Sequence, residues 1–170
     1  MDIRTTLLQK HSKANTMQIV DFIGDDQTRF DELMELLLNG EPLVVQRAAW
    51  AVGHCGVTYP RLIHKHFQSM IDKLKQPNIH DAVKRNTVRV WQFVEIPEEF
   101  MGSIASICFD YLADVKQAVA IKIFSMTVLL NITQKVPELK NELRLLIEEQ
   151  MPYGSAGFRS RGRKTLKQLK

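Results

Sequence analysis

The sequence predicts an all-α protein whose helices stack as repeating antiparallel pairs, and three observations carry that expectation. Prolines at 60, 97 and 137 recur at separations of 37 and 40 residues, and each opens a segment of helix-like apolar spacing. After Pro60 the apolar positions are Ile63, Phe67, Met70, Ile71 and Leu74; after Pro97 the same five offsets hold Phe100, Ile104, Ile107, Cys108 and Tyr111. Self-similarity at a fixed period of this length is the signature of a helical array. No run of period-two alternation bounded by hairpin signals competes with it.

Taken in order, residues 1–24 carry Ile3, Leu7 and Leu8, then Met17, Val20 and Ile23, and read as an N-terminal cap of one or two helices. One period before Pro60 the stripe appears as Phe30, Leu33, Met34 and Leu37, matching the last four positions of the template. Steps of three and four residues draw a single stripe down a helix that faces a core. After Pro137 it returns as Leu139, Leu143, Leu146 and Ile147, one residue closer to the proline. Proline suits a helix start because its missing N–H would have no partner there, and Glu98, Glu99 and Glu138 complement the positive end of the helix dipole.

Between these first helices lies a second set, predicted over 42–55, 79–94, 115–134 and 155–169. Val45, Ala49 and Val52 align at an offset of 38 with Val83, Thr87 and Val90, and Arg47 with Arg85. Small residues at Ala48, Ala49 and Ala51 permit close approach of a neighbour, and Gly53 and Gly56 fit a tightly turned end. The linkers Asn39-Gly40-Glu41-Pro42 and Gln76-Pro77-Asn78 are short and rich in helix breakers, as connections between antiparallel helices should be.

Composition sets the bounds. The 170 residues are 45% apolar and 25% charged, enough for one folded domain spanning 1–170 and far from the signature of disorder. The apolar run Ile121 to Ile132 is broken by Lys122, Ser125, Thr127 and Asn131 and is too short for the ~20 residues a membrane helix needs. No signal peptide opens the chain, so the expectation is a cytoplasmic protein. Cys55 and Cys108 sit in apolar helical patterns and read as buried free thiols. The net charge of +4 is concentrated at one end: residues 154–170 hold six basic side chains and no acid, leaving 17 basic and 19 acidic residues in the body.

The segments Asp81-Ala82-Val83-Lys84-Arg85 and Asp114-Val115-Lys116 resemble the acid, valine and basic residue that open the second helix of a HEAT unit, and residues 28–151 show the helix-pair period of HEAT-like and armadillo-like repeats. The resemblance implies a right-handed α-α superhelix of about four to five pairs, with modified end units at 1–24 and 155–170. It also implies a non-enzymatic scaffold that binds a protein or peptide on its second-helix face. On that face Arg47, Trp50, Lys84, Arg85, Arg89, Trp91 and Lys122 are the candidate contacts.

Two other chemistries fit parts of the sequence. The tail Phe158-Arg159-Ser160-Arg161-Gly162-Arg163-Lys164 places Arg159 and Arg163 four residues apart on a helix, and with Arg161 and Lys164 it forms a candidate anion site. Nucleic-acid binding through this tail and the inner face is therefore the alternative. Some bacterial alkylpurine DNA glycosylases share HEAT-like architecture and hold a damaged nucleotide with an aspartate and tryptophans; Trp50 and Trp91 invite that comparison, but neither lies beside an aspartate in sequence. Neither His54-Cys55 nor His64-Lys65-His66 has the i, i+4 spacing that chelates an ion from one helix, so no metal or other cofactor is expected. Gly-x-Ser-x-Gly and phosphate-loop motifs are missing.

Overall fold

The structure, a computed structural model, describes residues Met1–Lys170. It is entirely helical: ten α-helices and two 3₁₀ segments, with no strand. The chain divides into two compact units, Met1–Glu95 and Ile96–Lys170.

The first unit contains α1 (Ile3–Gln9), α2 (Lys13–Ile23), α3 (Gln27–Asn39), α4 (Pro42–Thr58), a 3₁₀ segment (Pro60–His66), α5 (Phe67–Lys75) and α6 (Asp81–Trp91). α4 is its centre and packs against α1, α2, α3 and α6. The reason is visible in its composition. Val44, Ala48, Ala49, Ala51, Val52 and Cys55 put apolar or small side chains on most faces, and all are buried, as for a helix surrounded by others. The expected stripes close around it: Phe30, Leu33, Met34 and Leu37 on α3, and Ile63, Phe67, Met70, Ile71 and Leu74 after Pro60, are all buried.

The second unit contains α7 (Glu98–Ala113), α8 (Val119–Thr133), a 3₁₀ turn (Pro137–Leu139), α9 (Lys140–Gln150) and α10 (Ala156–Gln168). Here α8 is central, packing against α7, α9 and α10. Each unit thus buries a second helix of the repeat. In sequence order the ten helices make five touching pairs, three in the first unit and two in the second.

Two expectations about elements need correction. The helices after Pro60 and Pro137 begin as 3₁₀ segments, so α5 and α9 start only at Phe67 and Lys140. Asp114-Val115-Lys116 does not open a second helix. Asp114 ends α7, its Oδ1 accepts from the Lys116 N–H at 2.9 Å, and Val115 is 82% exposed in the turn before α8. The short aspartate side chain holds that turn by bonding the backbone two residues on. On α10 the buried positions are Phe158, Gly162 and Thr165, followed by Leu169 beyond its end, while Leu166 lies at the edge.

The repeat period returns in the polar contacts. Side chains link residues 34 to 40 positions apart: Lys65 with Asp31, Gln27 with the Leu62 carbonyl, Arg47 with the Leu7 carbonyl, Gln150 with the Leu112 carbonyl. Lys73 and Gln150 do equivalent work near the ends of α5 and α9. Each donates, at 2.8 Å, to a carbonyl in the last turn of the preceding first helix, Leu38 on α3 and Leu112 on α7, where the helix leaves acceptors unsatisfied.

Asp31 is the most connected of these groups. Burial pushes its pKa up, but hydrogen bonds from Lys65, Gln27 and His66 outweigh that and hold the carboxyl at about 2. Because the folded value lies below the unfolded one of about 3.9, the stabilisation is fully present above about pH 4 and is lost as pH falls toward 2. The stability difference between wild type and Asp31→Asn, followed by urea unfolding, should therefore shrink as pH falls from about 4 toward 2.

Cys55 and Cys108 are buried free thiols, and burial pushes both up to about 12. Neither is a thiolate at neutral pH. One lies in each unit, so labelling by a thiol reagent should require opening of that unit. Cys55→Ser and Cys108→Ser proteins, each with one thiol left, should label at rates that rise steeply with subdenaturing urea and report the two openings separately.

Candidate functional site

In the first unit, polar and aromatic side chains gather at a hollow where α4 meets α6. Two glycines set the distance between these helices. A Cβ on Gly53 would stand 2.5 Å from Asn86 Oδ1, and one on Gly56 would stand 2.8 Å from both methyls of Val90. No side chain fits at either point, so α6 lies directly against the α4 backbone.

One turn before Gly53, this close crossing leaves a hollow of about 240 Å³ lined by His11, Gln46, Trp50, His80, Arg85 and Asn86, with Asp81 and Ala82 completing it. Trp50 is partly exposed and flanked by two imidazoles, His11 at 5.3 Å and His54 at 6.0 Å between ring centroids, both tilted. His80 caps α6: its Nδ1 accepts from the Ala82 N–H at 3.0 Å, which leaves Nε2 as the nitrogen that carries a proton.

Cationic side chains act on this region. Burial lowers the pKa of His54, and the charges of Arg89 and Lys13 lower it further. Arg85 is exposed on the wall of the hollow. The one carboxylate lining it, Asp81, is exposed and sits 3.8 Å from Lys84 Nζ, a surface pair of small energetic weight. An indole face with a guanidinium on the same hollow suits a ligand carrying both an acidic and an apolar or aromatic group.

The residues expected on the second-helix face separate into distinct roles. Trp50 and Arg85 both line the hollow, and Arg89 is near enough to His54 for its charge to lower that pKa. Arg47 is half-buried, and its Nη1 donates to the Leu7 carbonyl at 2.7 Å, so its guanidinium ties α1 to α4. Lys84 stands by Asp81.

Trp91 is a correction. It is 0% exposed, at the last position of α6, and its Nε1 has no hydrogen-bond partner. It is a core side chain, and no partner reaches it. A glycosylase-type pocket that pairs Trp50 with Trp91 on one surface is therefore lost as well. Lys122 is the second correction: it belongs to the other unit and is buried, with Nζ donating to the Asp114 carbonyl at 3.2 Å.

The basic C-terminal set also divides. Arg159, Arg163 and Lys164 are exposed, whereas Arg161 is half-buried and donates to Thr127 Oγ1 on α8 at 3.2 Å. Arg163 lines a shallow hollow with Arg144, Lys167 and Lys170, but Glu148 shares it and tempers its charge.

His11, Gln46, His80 and Asn86 were not singled out by the sequence. His11 lies in the short link between α1 and α2 and reaches Trp50 only through the tertiary fold. His80 had a local signal, its position just after Gln76-Pro77-Asn78 at a helix start.

The chain matches the family described as HEAT repeat domain over residues 3–169. Neither the curated proteins nor the solved structures give a match. No helix is long and apolar enough to cross a membrane.

Proposed function

We propose, from the premise that this chain belongs to the HEAT repeat domain family, that it is a non-enzymatic scaffold whose first unit binds an acidic peptide segment of a protein partner in the hollow around Trp50. The family is generally one of helical scaffolds, commonly for protein interaction. The observation that carries the specific reading is the placement of Trp50: a partly exposed indole between His11 and His54, beside the exposed Arg85.

Indole and guanidinium groups are the side chains most enriched at binding hot spots, because they offer large rigid area with a polar edge or a planar donor fork. A peptide would lay an apolar or aromatic side chain against Trp50 and place a carboxylate at Arg85 and Arg89. Arg47 supports this face from beneath by holding α1 to α4 and is a positioning residue.

The test is selection of random 12-residue peptides on the intact chain, followed by affinity measurement against Trp50→Ala and the double variant Arg85→Glu, Arg89→Glu. Enriched peptides should combine acidic and aromatic or aliphatic residues, and should lose about 2 kcal/mol or more of affinity for either variant, the threshold of a hot spot. Peptides that bind both variants as tightly as wild type would contradict the reading. Tight binding of mixed-sequence DNA that disappears with Arg159, Arg163 and Lys164 changed to alanine would assign the chain to nucleic acid instead.

A further inference from the structure

The second unit holds a different kind of site, built around Lys122. A cavity of about 280 Å³ is lined by Lys122, Phe158, Val115, Val119, Gln150 and Tyr153, among others, and its surface is mostly apolar. Lys122 is 7% exposed. Its ammonium has three donors, of which one goes to the Asp114 carbonyl at 3.2 Å. The Phe158 ring stands 5.7 Å from Nζ. No carboxylate lies within ion-pair distance of it, and the side chains of Gln150 and Ser155 are engaged elsewhere, with the Leu112 carbonyl and the Phe158 N–H.

A buried ammonium without a paired anion is expensive to maintain. The rim adds a second oddity: Val115 is 82%, Tyr153 89% and Val119 45% exposed, three large apolar side chains gathered at one mouth. Scattered exposed hydrophobics are ordinary, but a cluster around a pocket marks a place where apolar matter is covered by something else.

We infer that this cavity binds a small monocarboxylate with an apolar body, its carboxylate on Lys122 Nζ and its tail against Phe158, Val115 and Val119. The charge of the ligand follows from the unpaired ammonium, and the apolar body from the walls. A phosphate or sulfate fits less well, because most of the wall is apolar and Lys122 is the one charged group lining it. At about 30 Å³ of liquid volume per water, the cavity accommodates roughly ten heavy atoms, the size of octanoate.

The test uses the intact chain and octanoate, with 1-octanol as the neutral probe of equal tail length, followed by calorimetry and by chemical shifts of the Phe158 ring. Octanoate should bind about tenfold or more tightly than octanol, as expected for a charge-assisted hydrogen bond in an apolar site. Lys122→Met should erase that preference while keeping weak binding of octanol. Val115→Asp changes an exposed turn residue and so leaves folding intact; it should weaken octanoate by placing a like charge at the mouth. Equal affinities for octanoate and octanol, or octanoate binding unaffected by both substitutions, would overturn the inference.

Discussion

Trp91→Ala is expected to destabilise the first unit by about 3 to 5 kcal/mol, the range for removing a fully buried large aromatic. Trp91 is the largest fully buried side chain in the chain. Its removal strips away an indole's worth of apolar area and leaves a cavity that the helices around it close only in part. Because its Nε1 makes no hydrogen bond, the loss is one of packing, and Trp91→Phe should cost far less. Urea unfolding gives the measurement. The midpoint should fall steeply for alanine and little for phenylalanine, whereas Trp50→Ala, which removes a partly exposed ring, should stay within about 1 kcal/mol of wild type. Similar losses at the two tryptophans would show that they share an environment.

Gly56→Ala should also destabilise, by about 1 to 3 kcal/mol, although alanine is the better helix former. In a helix interior, Gly to Ala ordinarily gains about 0.5 to 1 kcal/mol. At Gly56 the new methyl would lie 2.8 Å from both Val90 methyls and 3.0 Å from Ile63 Cδ1. Valine is stiff at χ1 and cannot swing aside, so α6 must move outward, which carries the usual penalty of overpacking. Gly102 is the control. It lies within α7 with nothing within 4 Å of an added Cβ, so Gly102→Ala should stabilise by about 0.5 to 1 kcal/mol. Opposite signs for one chemical change, read as shifts of thermal midpoint, isolate the role of the α4–α6 contact. Two stabilising results would mean that this contact is loose.

The stripes show why the fold was legible. Ile63, Phe67, Met70, Ile71 and Leu74 repeat as Phe100, Ile104, Ile107, Cys108 and Tyr111 because each first helix presents the same face to its neighbours, and periodicity survives where identity does not. Gly53 and Gly56 are visible as odd residues for a helix but read as a tightly turned end. They lie inside α4, and only the position of Asn86 and Val90 explains them. The 3₁₀ starts after Pro60 and Pro137 were hidden because proline marks a start equally well for either helix.

The site was less legible than the fold. Trp50 and Trp91 have the same residue type on successive second helices, yet one flanks a hollow and the other fills the core; burial depends on which helix covers which face. Arg47 and Arg85 occupy equivalent repeat positions, but only Arg47 has the end of α1 within reach. Lys122 looked like one more surface cation in a helix of mixed composition, and the packing of α10 on α8 encloses it.

The central claim is that the hollow around Trp50 is a protein-binding face. In Trp91→Phe the indole of Trp50 is the one left in the chain, so its emission during titration with a selected acidic peptide, at ~50 and ~200 mM salt and with mixed-sequence duplex DNA as competitor, is the most direct measurement. The predicted result is a saturable change in emission, an affinity that falls by about tenfold or less across that salt range, and no displacement by duplex. Peptide binding that leaves Trp50 emission unchanged, or duplex that displaces the peptide at low salt and is lost at high salt, would contradict it.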